Sequence, residues 1–567
     1  MPIRLLALLT AIAGGASPVA AQQPGQVQSG AAREVPTARA TRTTAAPTID
    51  GRLDDPAWVQ APVISDFIQN EPNDGRPVTE RTEVRILFDD QAIYLGAWLF
   101  DSDPSAIVAG ESRRDVDLTQ LDAFLMVVDT YRDRQNAFVF GTSPMGVEYD
   151  GQVTREGEGG FGQNINLNAT RQQRGAGAGL NVNWDGNWTV ATSRDGAGWY
   201  AEFRIPFSTL RYPKGGAQSW GFNFSRNIRR KNEQAFWAPV PRQYTLYRIS
   251  LAGTVEGLEA PAQRVISFTP YLLGSTRRDF SVPKSHTDGD AGGDFKYGVT
   301  QSLTLDLTYN TDFAQVEVDD QQVNLTRFSV FFPEKRTFFL ENAGTFAVGT
   351  PETAELFFSR RIGIGPDGST VPLLGGARLS GKSGGTTLGF LNIQARQRDD
   401  IDPQNYGAVR VMRELPNRSR IGGVFVSRFN TDSTGDRNLT YGLDGRFGLG
   451  DRILVDGYAA LTDTPGLTGN QYAWSLGASY TDRHWEAGVA VRDLAENFNP
   501  EVGFLVRDSY YFLTARLLRH LRTPSISWLR ELRPHVTVWE YRDRDWFVEN
   551  RLVHIDNHVE FANGAFF

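Results

Sequence analysis

Between Trp474 and Val491 the chain shows a two-residue hydrophobic period twice, once on each side of a polar turn. Trp474, Leu476, Ala478 and Tyr480 alternate with Ser475, Gly477 and Ser479. After Thr481 to His484, Trp485, Ala487, Val489 and Val491 alternate with Glu486, Gly488, Ala490 and Arg492. Successive strand side chains point to opposite faces, so the stretch is a β-hairpin with one apolar, aromatic-ended face and one small or polar face. A soluble sandwich can use such a hairpin. So can a transmembrane barrel, whose apolar face meets lipid and whose polar face lines the lumen.

The same period recurs from Arg264 onward. Leu303, Leu305, Leu307 and Tyr309 follow it, as do Ile453, Val455, Gly457, Ala459 and Leu461, and later Val553, Ile555, Val559 and Phe561. Each run approaches the roughly 9 to 11 residues with which a tilted strand crosses a bilayer. Polar connections such as Asn430 to Asp436 and Thr462 to Gly466 separate the runs. Nowhere does an apolar stretch reach the roughly 20 residues of a spanning helix, so a membrane form of this chain has to be a barrel.

Upstream, Arg4, the apolar run Leu5 to Ala13 and the small residues Val19-Ala20-Ala21 read as a secretory signal over 1–21. Residues 22–46 have almost no large apolar side chain and read as a disordered linker. Order is expected near Pro47, with an Asp50-Gly51 turn and a short helix opening at Pro56. From 83 to 224 short strands with turns dominate, which predicts a β-sandwich over 47–261 and an antiparallel outer-membrane β-barrel over 264–567. The fold class is therefore all-β. With 0 cysteines, neither disulfides nor thiolate metal sites contribute. A net charge of -8 excludes the basic face that a nucleic-acid partner needs.

Two blocks of the first half resemble family 9 carbohydrate-binding modules. Ile49-Asp50-Gly51-Arg52-Leu53-Asp54-Asp55-Pro56-Ala57-Trp58 resembles the opening of that family, and Trp199-Tyr200-Ala201-Glu202-Phe203-Arg204-Ile205-Pro206-Phe207 its closing strand. Further on, Asp312 to Asp319, the block Val330 to Asn342 with Phe-Phe-Pro-Glu-Lys-Arg at its centre, and Phe357 to Gly363 resemble a poorly characterised family of outer-membrane proteins, in which such a domain is fused to a barrel. The resemblance implies a jelly-roll-like sandwich that binds sugar, export to the cell outer membrane, and a glycan and membrane lipid as partners.

Candidate site residues follow from chemistry. Sugars pair apolar C–H faces with a ring of hydroxyls, so aromatic side chains beside carboxylates and amides suit them. Trp184, Asp185, Asn187 and Trp188 offer that set around one turn, and a core role for both indoles is the competing reading. Asp115, Asp117 and Asp122 are candidate oxygen ligands for calcium, with solvated turns as the alternative. Glu334, Lys335, Arg336 and Glu341 can neutralise one another in a segment folded into the lumen, where they would form a constriction; an ordinary turn with a short helix is the alternative. His554, Asp556, His558 and Glu560 share one strand face, which suits zinc and equally suits a polar lumen. Near Phe567, Asn563 and Ala565 break the alternation, so strand number stays open and the chain reads as stopping before its barrel closes.

Three functions compete at this point. The first is a non-enzymatic outer-membrane barrel that captures or admits glycan. The second is a carbohydrate-active enzyme hydrolysing glycosyl bonds through paired carboxylates. The third is a soluble periplasmic interaction protein.

Overall fold

The computed structural model describes residues 35–157, 179–262, 265–280, 284–311, 323–324, 327–365, 368, 370–398, 400–433, 435–523 and 525–567. The expected signal over 1–21, most of the expected linker and the Asp312 to Asp319 block lie outside the described residues. Pro36 to Phe567 form one compact unit.

Order begins earlier than expected. Thr37–Arg39 pairs in parallel with Gly253–Leu258, and Thr41–Arg42 pairs in parallel with Thr82–Phe88. This short polar segment needs no apolar side chains to be held, because its backbone groups complete two sheet edges. Ala40, buried, marks the crossing from one sheet to the other.

Those two sheets are the layers of the sandwich. Among the described residues the first contains nine strands, and the second runs Thr189–Asp195, Gly198–Pro206, Ala92–Phe100, Thr82–Phe88, Thr41–Arg42. Inward alternation from both layers makes the core: Val84, Ile86, Leu95 and Leu99 from one, Phe124, Met126, Val128, Phe222 and Phe224 from the other. Burying each such side chain contributes about 1.5–3 kcal/mol, which is how a domain without disulfides holds together. As the sequence predicts, Pro56 opens a short helix, here a 3-10 helix over Pro56–Gln60.

Among the described residues the second half is a single sheet of fourteen strands running from Ile266–Asp279 to Val548–Phe561, each antiparallel to the next. Chain order and spatial order coincide, with one long excursion between Leu303–Tyr309 and Leu373–Ser383. The hairpin read from the sequence forms from Tyr472–Thr481 and Trp485–Leu494, with Leu476 opposite Val491 and Ala478 opposite Val489. On one face of the sheet, large apolar side chains are largely exposed: Leu443 is 68% exposed, Leu476 52% and Ile555 78%. The other face carries buried charge in pairs, such as Arg378 with Asp306 at 2.8 Å and Arg410 with Asp444 at 2.6 Å.

Connections at one end of the sheet are mostly short and those at the other mostly longer. The short turns at 299–302, 384–385, 416–418, 450–452 and 482–484 lie at one end together with the longer 520–528, and the sandwich contacts this end at several places along it. Ser302 donates to the Tyr212 carbonyl at 3.0 Å, Arg418 to Glu156 at 2.6 Å, Arg248 to the Asp451 carbonyl at 3.2 Å and Asn232 to the Asn563 carbonyl at 2.8 Å. Laid flat, strands spaced about 4.8 Å apart would make this sheet about 60 Å wide. A sandwich of roughly 210 residues has a radius of gyration of only about 17 Å. It can touch the turn at 299–302, the turns in the middle and Asn563 after the last strand only if the sheet curls around, apolar face outward. Among the described residues the first and last strands do not pair with each other.

Candidate functional site

The two blocks that resemble family 9 modules are joined by one side chain. Glu202, fully buried, accepts from the backbone N–H of Asp50 at 3.0 Å and of Gly51 at 2.8 Å through one oxygen, and from the Trp58 indole at 3.0 Å through the other. Gly51 has φ +85°, and a Cβ there would lie 2.6 Å from the Thr192 backbone, so only glycine fits the turn. Burial raises the Glu202 pKa although three donors favour its anion.

Above this joint, the outer face of the smaller sheet carries an aromatic row. Tyr200 stands directly opposite Trp98, which in turn stands opposite Glu83. Trp98 is held edge-on by Trp58 at 6.1 Å, and the Arg85 guanidinium lies 5.1 Å from its ring. Phe100 meets Tyr200 edge-on at 6.4 Å, and Arg81 covers Phe100 at 3.8 Å. The Tyr200 hydroxyl donates to Asp195 at 3.0 Å. Half-buried rings flanked by carboxylates and guanidiniums form the combination sought at Trp184 to Trp188. Sequence reading missed it because the partnership of Trp98 with Tyr200 is set by strand register. The signal that could have found it is the i, i+2 spacing of Trp98 and Phe100.

The turn proposed from sequence as the sugar contact is mostly core. Trp184 is 6% exposed and packs on Phe138 at 5.3 Å, and Trp188 is 3% exposed and stacks on Phe203 at 5.9 Å. Neither indole face is open to a ligand. Asp185 and Asn187 are exposed; Asp185 reaches Arg114, and the Asn187 carbonyl accepts from the Thr209 hydroxyl.

The calcium trio is likewise separated. Asp117 caps a short 3-10 helix by accepting from the Thr119 N–H, and Asp122 accepts from the Val108 N–H at 2.8 Å. Asp115 instead joins Glu148, Asp150 and Asp185 around Arg114, which reaches them at 3.4, 2.6, 2.7 and 2.8 Å. A guanidinium already occupies the place a cation would take. Burial, reinforced by the Asp150 charge, pushes Asp115 up to about 7, and burial pushes Asp150 up to about 6.

A pH dependence follows. Unfolded aspartates release their protons near pH 3.9, whereas these two hold theirs to higher pH when folded. Their contribution is thus present below about pH 4 and is lost as pH rises toward 7. Denaturant melts of the detergent-solubilised chain should lose about 1–2 kcal/mol of sandwich stability across that window, discounted for partial solvation. In Asp115→Asn the slope should flatten; an unchanged slope would refute the assignment.

The segment carrying Phe331 to Glu341 lies against the inner face of the large sheet. Phe338, Phe339, Phe346, Leu356, Phe357 and Ile362 share one core with the inward strand residues Leu391, Ile393, Tyr406, Ala408, Val424 and Tyr458. Thr337–Leu340 forms a short helix within it. Glu334 pairs with Arg336 at 2.7 Å and accepts from the Ser359 hydroxyl, while Lys335 is half-buried beside them. Glu341 stands apart from that pair. It accepts from Arg211 of the sandwich at 2.6 Å and from Lys296 of the sheet, so one carboxylate ties together the three parts of the chain.

Residues 49–236 match the family described as "Carbohydrate family 9 binding domain-like". The sandwich is a carbohydrate family 9 binding-like domain. Residues 261–377, at the start of the large sheet, match a "Domain of unknown function (DUF5916)". No curated protein matches the chain. Among solved structures, the chain is similar to a family 9 module from Caldicellulosiruptor kristjanssonii in complex with glucose, at 16% identity and TM-score 0.26 over 38% of this chain and 94% of that one. It is also similar to a mutant porin of Rhodopseudomonas blastica, at 8% identity and TM-score 0.22 over 77% and 96% of the two chains. OpdL of Pseudomonas aeruginosa gives 11% identity and TM-score 0.24 over 78% and 86%. The family 9-like domain thus contains both motif blocks joined by Glu202.

Proposed function

We propose that this is an outer-membrane protein whose curled sheet sits in lipid and whose family 9-like domain captures carbohydrate without transforming it. The observation that carries the membrane half is the apolar outer face. Leu443, Leu461, Leu476, Val553 and Ile555 are exposed on one face of the sheet, and contiguous apolar surface of that kind marks an interaction or membrane site. Aromatic side chains sit at both ends of that band, as interfacial belts do. At the long-connection end Trp546 stacks on Tyr511 at 4.9 Å, and beside a short turn Arg519 covers Trp485 at 4.3 Å.

Barrels of this kind keep short turns on the periplasmic side and long ones outside. The sandwich contacts the short turns, so in this reading it is a periplasmic cap. The inward segment occupies the lumen above it and narrows any path for solute. A glycan captured by such a cap is one that has crossed or is crossing the wall, which suits carbohydrate uptake for catabolism.

For the sugar contact the reading assigns the Trp98 and Tyr200 row with Glu83, Arg85 and Asp195. The test is a glycan panel probed with the full chain in detergent micelles. Trp98→Ala and Tyr200→Ala are each expected to weaken binding about tenfold, equivalent to about 1.4 kcal/mol. Wild-type protein that retains no glycan would end the capture reading, and a Trp98→Ala variant that binds as well as wild type would end the assignment of the site.

A further inference from the structure

Three of the chain's 6 histidines, His535, His554 and His558, lie on one hairpin formed by Leu529–Arg542 and Val548–Phe561. In register, His535 stands opposite Asp556, Thr537 opposite His554 and Arg533 opposite His558. The imidazole of one strand is therefore flanked diagonally by two from the other, with ring centroids 5.1 Å away in each case. Ligand atoms of His535, His554 and Asp556 all fall within 4.8 Å of one another. The Asp556 carboxylate also lies 3.1 Å from His558 Nε2.

The proton on His535 is placed by its neighbour. Its Nδ1 is 3.2 Å from the Arg533 carbonyl oxygen, and a carbonyl only accepts, so Nδ1 carries the hydrogen and Nε2 keeps a lone pair. Fixing the tautomer through a backbone carbonyl is how proteins orient histidines that ligate metals. Three imidazoles with one carboxylate suit zinc-class ions, which take four N or O ligands at about 2.0–2.2 Å. Gathering them needs side-chain rotation only, and His554, Asp556 and His558 are about half exposed and able to rotate. Arg533, which stands opposite His558, is drawn toward Glu560 at 3.8 Å.

We propose that His535, His554 and Asp556, with His558 as fourth ligand, bind one zinc-class divalent ion and tie the last two strands together. This site stands apart from the carbohydrate reading and does not depend on it.

The experiment uses the full chain folded in detergent micelles, stripped with EDTA and titrated with zinc chloride by calorimetry. A parallel titration with cobalt chloride reads the four-coordinate visible bands. One equivalent of zinc is expected, with at least tenfold weaker binding and loss of the cobalt bands in His535→Gln. His484→Ala, at a turn outside the cluster, should bind as wild type does. Heat-modifiable migration establishes that each variant is folded, and His554→Ala on the exposed strand decides the matter if His535→Gln does not fold. The proposal is overturned by wild-type protein with no saturable zinc, by a folded cluster variant that binds like wild type, or by equal loss in His484→Ala.

Discussion

Glu202→Ala is expected to destabilise the sandwich by about 3–5 kcal/mol, although the residue is a buried carboxylate with no salt bridge to lose. The cost comes from its three donors. The N–H groups of Asp50 and Gly51 and the Trp58 indole would each lose their acceptor in a place water reaches poorly. Each orphaned donor costs about 1–3 kcal/mol, and three that share one cavity add less than fully. Glu202→Gln separates this account from one based on volume. Its amide oxygen can still accept from the two backbone groups, but its NH2 then confronts the indole N–H, so about half the loss should remain. Denaturant melts followed through tryptophan fluorescence read both variants. An alanine variant within about 0.5 kcal/mol of wild type would show that the two motif blocks hold together without this carboxylate.

That joint also illustrates what a single sequence reveals. Both blocks were visible as motifs, and so was the alternation at Leu303 to Tyr309, Ile453 to Leu461, Trp474 to Val491 and Val553 to Phe561, because side-chain period is a local property. Pairing is not local. Glu202 lies 151 positions from Gly51, and nothing in either block announces that one side chain accepts from the other. For the same reason Trp184 and Trp188, apt for sugar by composition, prove to be core, since burial depends on Phe138 and Phe203 arriving from other strands. The Trp98 and Tyr200 row was hidden by register. So was His535, the ligand that joins two residues of the histidine run already noticed on its neighbour. Order at Thr37–Arg39 was missed because backbone pairing at a sheet edge leaves no apolar signature. Charge placement was half legible: Glu334 and Arg336 neutralise each other as their spacing suggested, whereas Glu341 is held by Arg211 and Lys296 from distant parts of the chain.

Leu476→Arg tests the solvent of the outer face, on which the functional reading turns. Leu476 sits mid-strand in Tyr472–Thr481, opposite Gly457 and Val491, and is 52% exposed. If water surrounds it, arginine there is a surface change worth no more than about 0.5 kcal/mol. If hydrocarbon surrounds it, an arginine near the bilayer midplane costs about 2–4 kcal/mol, because the guanidinium must drag water with it or leave the strand. Thr468→Arg, in an exposed long connection, supplies the same charge where both accounts expect little effect. The comparison is made by refolding each variant into phospholipid vesicles and reading the folded fraction by heat-modifiable migration across a urea series. A Leu476→Arg midpoint well below that of Thr468→Arg is the expected result. Equal midpoints would mean that the band from Leu443 to Ile555 faces something other than lipid, and the sheet would then need a covering partner to explain why so much apolar surface is left bare.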